Sequence, residues 1–206
     1  TTEVITNDDI PTKAIKTKKD SSMVIGFNMI KQNCGDVFIS CGNTGALLTG
    51  ATLILGRIPG IDRPALAPVI PTKKGGALLI DAGFNTVCRP INYLQFGIMG
   101  SIYMKEMFKI DKPRVGLINV GSEEIKGNET IRQAYALLSN SSINFVGNVE
   151  GREIPSGEID VAVCDGFVGN VLLKFLEGVG SFIYEGLKEV YYKNFLSKLS
   201  ALLVRN

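Results

Sequence analysis

Apolar positions recur along this chain in two rhythms. Met23, Val24, Phe27 and Ile30 follow Ser21 and Ser22 at helical spacing, which predicts a capped helix ending near Asn33 to Gly35. Asp36-Val-Phe-Ile-Ser40 is a compact apolar run that predicts a short buried strand. Cys41-Gly-Asn-Thr-Gly45 then reads as a turn, and residues 46–55 read as a helix stopped by Gly56. Residues 65–70 and 76–80 are two further apolar runs, and the short link between them predicts an antiparallel hairpin. The helical rhythm returns over 90–108. A buried strand is predicted over 112–120, a loop over 121–127, and a helix over 129–138 with Ile131, Ala134, Tyr135 and Leu138 on its apolar face. A third copy of this strand-loop-helix unit follows, with a strand over 160–164, a turn over 165–170 and a long helix from Val171 to about Tyr191.

Strands alternating with helices of this length predict an α/β fold with three layers, α/β/α, around a mostly parallel sheet. No repeat, low-complexity tract or long linker interrupts the 206 residues, so a single α/β domain over 1–206 is expected. Residues 1–20 are polar, with Lys13, Lys16, Lys18 and Lys19 clustered. From Lys193 onward, Phe195, Leu196, Leu199, Leu202 and Leu203 predict a basic amphipathic helical segment over about 193–206. Such a stripe suits either a dimer contact or an anionic membrane surface. The chain opens on Thr1-Thr2-Glu3 without an initiator methionine and closes on Arg205-Asn206, which reads as a piece of something longer.

Composition narrows the chemistry. With 45% hydrophobic and 20% charged residues the chain is expected to pack a core rather than stay disordered. Lys plus Arg number 22 against 20 Asp plus Glu, a formal charge of +2, which gives no footprint for nucleic acid. The chain has no histidine, which excludes a Ser-His-Asp triad, a Cys-His pair, an HExxH zinc site and a histidine base within it. Cys34, Cys41, Cys88 and Cys164 show no CxxC spacing and are read as reduced packing residues of a cytoplasmic protein. Two glycosylation sequons, at Asn128 and Asn140, matter only in a secretory compartment, and no signal-like segment or 18-residue apolar run supports one.

Four loops place Gly and Asn where an apolar run stops: 40–45, 80–85, 120–128 and 164–170. In open α/β sheets ligands bind outside the carboxyl ends of the strands, so these loops are candidates for one cleft. Gly42, Asn43, Thr44 and Gly45 open a helix and suit either a phosphate cradle or a capped tight turn. Asp165, Gly166, Gly169 and Asn170 offer the same two readings. Lys126, beside Glu123 and Glu124 and two residues before Asn128, is either a donor to a phosphoryl oxygen or oxyanion, or part of a solvated loop. Arg57, Arg63 and Arg152 lie beside Gly or Pro; Arg63 is the best anion ligand of the three, with a structural pair to Asp62 or another acid equally open. GxGxxG, GxxxxGK[ST] and GxSxG are absent, which disfavours a conventional dinucleotide dehydrogenase, a P-loop NTPase and a serine hydrolase.

Six motifs taken together, Cys-Gly-Asn-Thr-Gly-Ala-Leu from Cys41, Gly-Arg-Ile-Pro-Gly-Ile-Asp-Arg-Pro from Gly56, Pro-Arg-Val-Gly-Leu-Ile-Asn-Val-Gly from Pro113, Lys-Gly-Asn-Glu from Lys126, Asn-Phe-Val-Gly-Asn-Val-Glu-Gly-Arg from Asn144 and Asp-Gly-Phe-Val-Gly-Asn from Asp165, resemble the PlsX-type phosphate acyltransferases of bacterial phospholipid synthesis. The resemblance runs from about Asn7 to Asn206. The family's opening strand with a Gly-Gly-Asp loop and its C-terminal Gly-Gly-Ala and His-Gly segment have no counterpart here.

The resemblance implies a fold similar to isocitrate and isopropylmalate dehydrogenases and to phosphotransacetylase. It also implies acyl phosphate formation from acyl-[acyl carrier protein] and inorganic phosphate, no cofactor and no metal. A homodimer is implied, feeding a membrane glycerol-3-phosphate acyltransferase, in a cytoplasmic location with peripheral membrane contact. On that basis Lys126, Asn43 and Asp165 are the expected catalytic residues. Gly42, Thr44, Gly45, Arg63, Asn128, Gly166, Gly169 and Asn170 are expected with Asn43 and Lys126 around phosphate. The rival readings are a phosphotransacetylase-like or dehydrogenase-like enzyme of the same fold, and a non-catalytic scaffold for carrier protein or membrane.

Overall fold

A computed structural model describes residues 1–193 and Ser197. The amphipathic segment expected over 193–206 lies outside the described residues apart from Lys193 and Ser197. The packing divides the chain into two compact units, Thr1–Leu66 and Ala67–Asn206.

The first unit is helical. Helix α1 (Pro11–Thr17) starts with proline in its first turn, and α2 (Ser22–Lys31) is capped by Ser21, whose side chain accepts from the Val24 amide. Helix α3 (Thr44–Gly50) continues into a π turn, Ala51–Leu55, that stops at Gly56 with φ +92°. Ile15, Met23, Val24, Phe27 and Ala46 form its core, with Phe38, Leu47 and Ile54 packed around them. One helix goes beyond the sequence reading here, and one expectation fails. The polar opening stretch contains α1, because Ala14 and Ile15 bury one short face between lysines that point outward. The run 36–40 is no strand. Phe38 anchors it, its ring tilted 54° against Phe27 at 4.9 Å between centroids, while Val37 and Ile39 stand 75% and 84% exposed with no strand beside them among the described residues. An apolar run becomes a strand only where a partner accepts its backbone hydrogen bonds.

The second unit is the α/β body. It runs β1 (Val69–Thr72), β2 (Gly75–Ile80), α4 (Pro90–Phe108), β3 (Val115–Ile118), α5 (Glu129–Ser139), β4 (Phe145–Val149), a 3₁₀ turn (Gly151–Ser156), β5 (Val161–Val163) and α6 (Gly166–Tyr192). The sheet order is β1-β2-β5-β3-β4. The hairpin β1–β2 is antiparallel, while β2–β5, β5–β3 and β3–β4 are parallel. The α/β class with a mostly parallel sheet is therefore as the sequence predicted. Val115, Leu117, Val161, Val163, Leu78 and Leu79 are fully buried, as expected of parallel strands covered by helices. Gly100 of α4 lets that helix lie against β5, since a Cβ there would sit 2.5 Å from Val161 Cγ1.

Two boundaries differ from expectation. The sequence reading placed no strand over 145–149, where β4 forms with a glycine at φ +99° in its middle. The run 165–170 is the first turn of α6 rather than a turn before it, because Asp165 caps the helix at once. At 27 residues, α6 is long and apolar enough by length and composition alone to cross a membrane, a test that core helices of soluble proteins also pass. Finally, only two of the four cysteines pack inside: Cys88 and Cys164 are buried, whereas Cys34 and Cys41 are exposed.

Candidate active site

Because β2, β5, β3 and β4 run parallel, the segments that leave their carboxyl ends share one edge of the sheet. These are residues 81–85 after β2, Cys164 and Asp165 after β5, 119–127 after β3, and 150–152 after β4. Asp81 shapes the first of them. It is fully buried, and its Oδ2 accepts from the Asn85 amide at 2.6 Å and from Asn85 Nδ2 at 2.8 Å, while Oδ1 accepts from the Phe84 amide at 3.1 Å.

Helix α6 starts against that loop. A Cβ on Gly169 would lie 1.9 Å from the Asp81 carbonyl oxygen, and one on Gly166 would lie 2.7 Å from the amide nitrogens of both Phe84 and Asn85. These glycines serve close backbone approach. Asp165 Oδ1 accepts from the Phe167 and Val168 amides at 3.0 and 2.9 Å, the Gly166 amide donates to the Asn85 carbonyl and the Gly169 amide to the Asp165 carbonyl. The first-turn donors of α6 are thus engaged within the chain.

The second carboxylate oxygen of Asp165 accepts from the Tyr93 hydroxyl at 3.1 Å. Burial, then the Asp165 charge, pushes the Tyr93 phenol well up, so it stays a donor at neutral pH. Burial likewise raises the Cys164 thiol, with the charges of Asp165 and Asp81 adding to the effect. Asn170, one turn into α6, lies beside Gly83, whose φ is +140°; a Cβ there would be 3.5 Å from Asn170 Oδ1.

Lys126 sits on the β3–α5 loop. Two strand-end asparagines fasten this loop: Asn119 Nδ2 donates to the Lys126 carbonyl at 3.1 Å, and Asn148 Nδ2 donates to the Glu123 carbonyl at 2.9 Å. The Lys126 ammonium is 3.9 Å from Glu123 Oε1 with its side chain 46% exposed, a loose and solvent-screened pair. Asn128, expected as a phosphate ligand, caps α5, its Oδ1 accepting from the Ile131 amide at 3.0 Å.

The remaining expected residues belong to the first unit. Asn43 caps α3 through the Ala46 amide at 2.9 Å and donates to the Thr6 carbonyl at 3.1 Å, so its amide group is engaged at both ends. Thr44 and Gly42 are exposed, and a Cβ on Gly45 would meet Pro11 Cγ at 2.8 Å. Arg63 is exposed and makes a contact of its own, while Arg57 donates to the Asp62 carbonyl. Arg152, in the second unit, pairs with Glu150 at 2.8 Å.

The sequence reading missed Asp81, Tyr93, Asn119 and Asn148. Asp81 and Asn119 directly follow a strand and Asn148 sits near the end of β4, and a polar residue at the end of an apolar run is a usable signal for a side chain that ties down a loop. Tyr93 carried none, since its partner lies 72 residues away in the chain.

A cavity of about 580 Å³ lies at the opposite, amino edge of the sheet, near Lys74, Arg114 and Asp160. Its charges are already matched, Arg114 with Asp160 at 2.9 Å and Lys74 with Glu158 at 2.5 Å. In sheets of this kind reactive groups gather at the carboxyl edge. Lys126, Asp165 with Tyr93, and Asn170 meet that condition.

The α/β fold is similar to that of two solved phosphotransacylases. EutD phosphotransacetylase from Staphylococcus aureus aligns with a TM-score of 0.59 at 14% identity, over 76% of this chain and 55% of its own. A branched-chain phosphotransacylase from Enterococcus faecalis V583 aligns with a TM-score of 0.53 at 13% identity, over 84% and 82%. The particular family follows from sequence: the chain belongs to the fatty acid synthesis protein family, which it matches over residues 1–206. Phosphate acyltransferase from Acetivibrio thermocellus is 64% identical over 203 residues, and that from Thermoanaerobacterium thermosaccharolyticum is 55% identical over 206. These alignments take in 98% and 100% of this chain but 60% and 62% of those relatives, so the chain spans about three fifths of their length.

Proposed function

We propose that this chain is the core of a phosphate acyltransferase that makes acyl phosphate from acyl-[acyl carrier protein] and inorganic phosphate. A phosphate oxygen attacks the thioester carbonyl carbon, a C–O bond forms, the C–S bond breaks, and the carrier's thiolate leaves to be protonated by solvent. Phosphate is the nucleophile, so no histidine base is needed. The protein orients the two reactants and neutralises charge on phosphate and on the tetrahedral oxyanion. Lys126 supplies that cation, and Asp165 with Asn170 orders the facing wall.

The observation that supports this most is Lys126 on a tethered loop at the same sheet edge as Asp165, in a chain 64% identical to a phosphate acyltransferase. A homodimer through the exposed distal half of α6, where Ile183, Leu187 and Val190 are 52%, 52% and 65% exposed, completes the proposal.

The test is release of carrier thiol from acyl-[acyl carrier protein] by the complete natural chain, with and without phosphate. Phosphate-dependent release is expected, and Lys126→Ala should lower turnover by more than about tenfold. An effect confined to the phosphate KM would reduce Lys126 to a binding role. Release from an acyl-CoA thioester but not from the carrier would replace the substrate, and no release from either would sink the reading.

A further inference from the structure

We propose that the acyl chain lies in the groove between α6 and the Gly151–Ser156 turn, and that Leu176 and Val179 set the chain length accepted. This rests on the acyl phosphate reading above.

The groove encloses about 410 Å³, within the usual ~300–1,000 Å³ of small-molecule sites. Ile70, Ile154, Pro155, Leu172, Leu176 and Val179 line it, and among the described residues the charged side chain at it is Arg152, paired with Glu150. A lining this apolar takes a ligand with no polar group along its length, which describes an alkyl chain and not a carrier surface or a nucleotide.

Position relates the groove to the reacting edge. Gly151 lies two residues past the end of β4, at the carboxyl edge, and a Cβ on it would be 3.1 Å from Leu172 Cδ2, so the turn and the helix meet there closely. Leu172 follows Asp165 by seven residues on the same helix, about 10 Å, and Val179 lies about 10 Å beyond Leu172. The helix whose start faces the proposed site is therefore the groove's wall. An ester or thioester head at the carboxyl edge would send its tail along α6.

The stripe itself argues for two different covers. Leu172, Leu176, Val179, Ile183, Leu187 and Val190 follow one another at three- and four-residue steps. The first three face the Gly151–Ser156 turn across the groove, whereas the last three are more than half exposed. A groove with two protein walls suits a thin chain; a bare stripe suits another helix.

The test uses the complete natural chain, alkylphosphonates of 8 to 16 carbons for binding, and acyl-[acyl carrier protein] of the same lengths for turnover. Wild-type affinity should rise roughly fourfold per methylene until the groove is full. Val179→Trp should move that ceiling to shorter chains and lower the long-to-short ratio of kcat/KM at least tenfold; Leu176→Ala should move it the other way. The second variant decides the matter if the first does not fold. Uniform effects across all lengths, or none, overturn the proposal. So does an unchanged length profile with loss of the dimer on gel filtration, which would make the groove a subunit contact. Absence of phosphate-dependent thiol release would remove the activity reading, while the phosphonate series would still decide whether the groove holds a chain.

Discussion

Single atoms decide what the glycines of α6 do. Gly169 has no room for a methyl group, because the nearest obstacle is a backbone carbonyl 1.9 Å from its Cβ position and backbone cannot swing aside. Gly178, about two and a half turns further along, meets nothing within 4 Å. Alanine should therefore act with opposite sign at the two sites. Gly169→Ala should cost more than about 3 kcal/mol, or roughly 10 °C of melting temperature at this chain length. Gly178→Ala should add up to about 1 kcal/mol through helix propensity. Thermal denaturation followed by circular dichroism separates them; equal effects would mean that α6 does not start against the Asp81 loop.

Among the elements, the β3–α5 loop shows how position is held without burial. Two asparagines, one from each of two neighbouring strands, grip carbonyls at Glu123 and Lys126. Losing one neutral hydrogen bond is worth about 1 kcal/mol. Asn148→Ala should accordingly lower kcat some threefold to tenfold in the thiol-release assay, and should speed tryptic cleavage after Lys126 with little change in melting temperature. Faster cleavage with unchanged kcat would leave Asn148 a structural tether only. The same elements show what was legible in the sequence. Helix α4 and the hairpin β1–β2 were readable because each carries its own punctuation, proline at the start of one and a short link in the other. The strand expected at 36–40 was not, since pairing depends on a neighbour that no local run encodes. The glycine-rich run at 165–170 looked like a turn because glycine marks both turns and close packing, and only the facing loop tells the two apart. Asn128 and Asn43 looked like ligands for the related reason that capping and anion binding favour the same residues at the same helix position.

Across the whole molecule, two sets of partly or fully buried titrating groups sit at opposite edges of the sheet and respond to opposite ends of the pH scale. At the amino edge, burial pushes the Asp160 carboxyl up, but the side-chain and backbone hydrogen bonds from Arg114 outweigh it and hold the group below its ordinary value. A carboxyl depressed on folding stabilises the fold above its unfolded pKa of about 3.9, and that stability is lost as pH falls through the folded value. At the carboxyl edge, burial and the nearby carboxylates raise Cys164 and Tyr93. An acid raised on folding does the reverse: the unfolded thiol ionises near pH 8.5 and the folded one does not, so stability drains away as pH rises past that point. The melting temperature should hold level between about pH 5 and 8, fall below about pH 4, and fall again above about pH 8.5. Cys164→Ala removes one of two buried thiols, so its alkaline fall should be shallower between about pH 8.5 and 10, below the point where the unfolded phenol ionises. Asp160→Asn should flatten the acid limb while leaving the alkaline one in place. An alkaline limb as deep in the cysteine variant as in the parent chain would mean that the thiol beneath the start of α6 is open to solvent. That would contradict the close seating of α6 on which the placement of Asp165, Tyr93 and the proposed acyl groove depends.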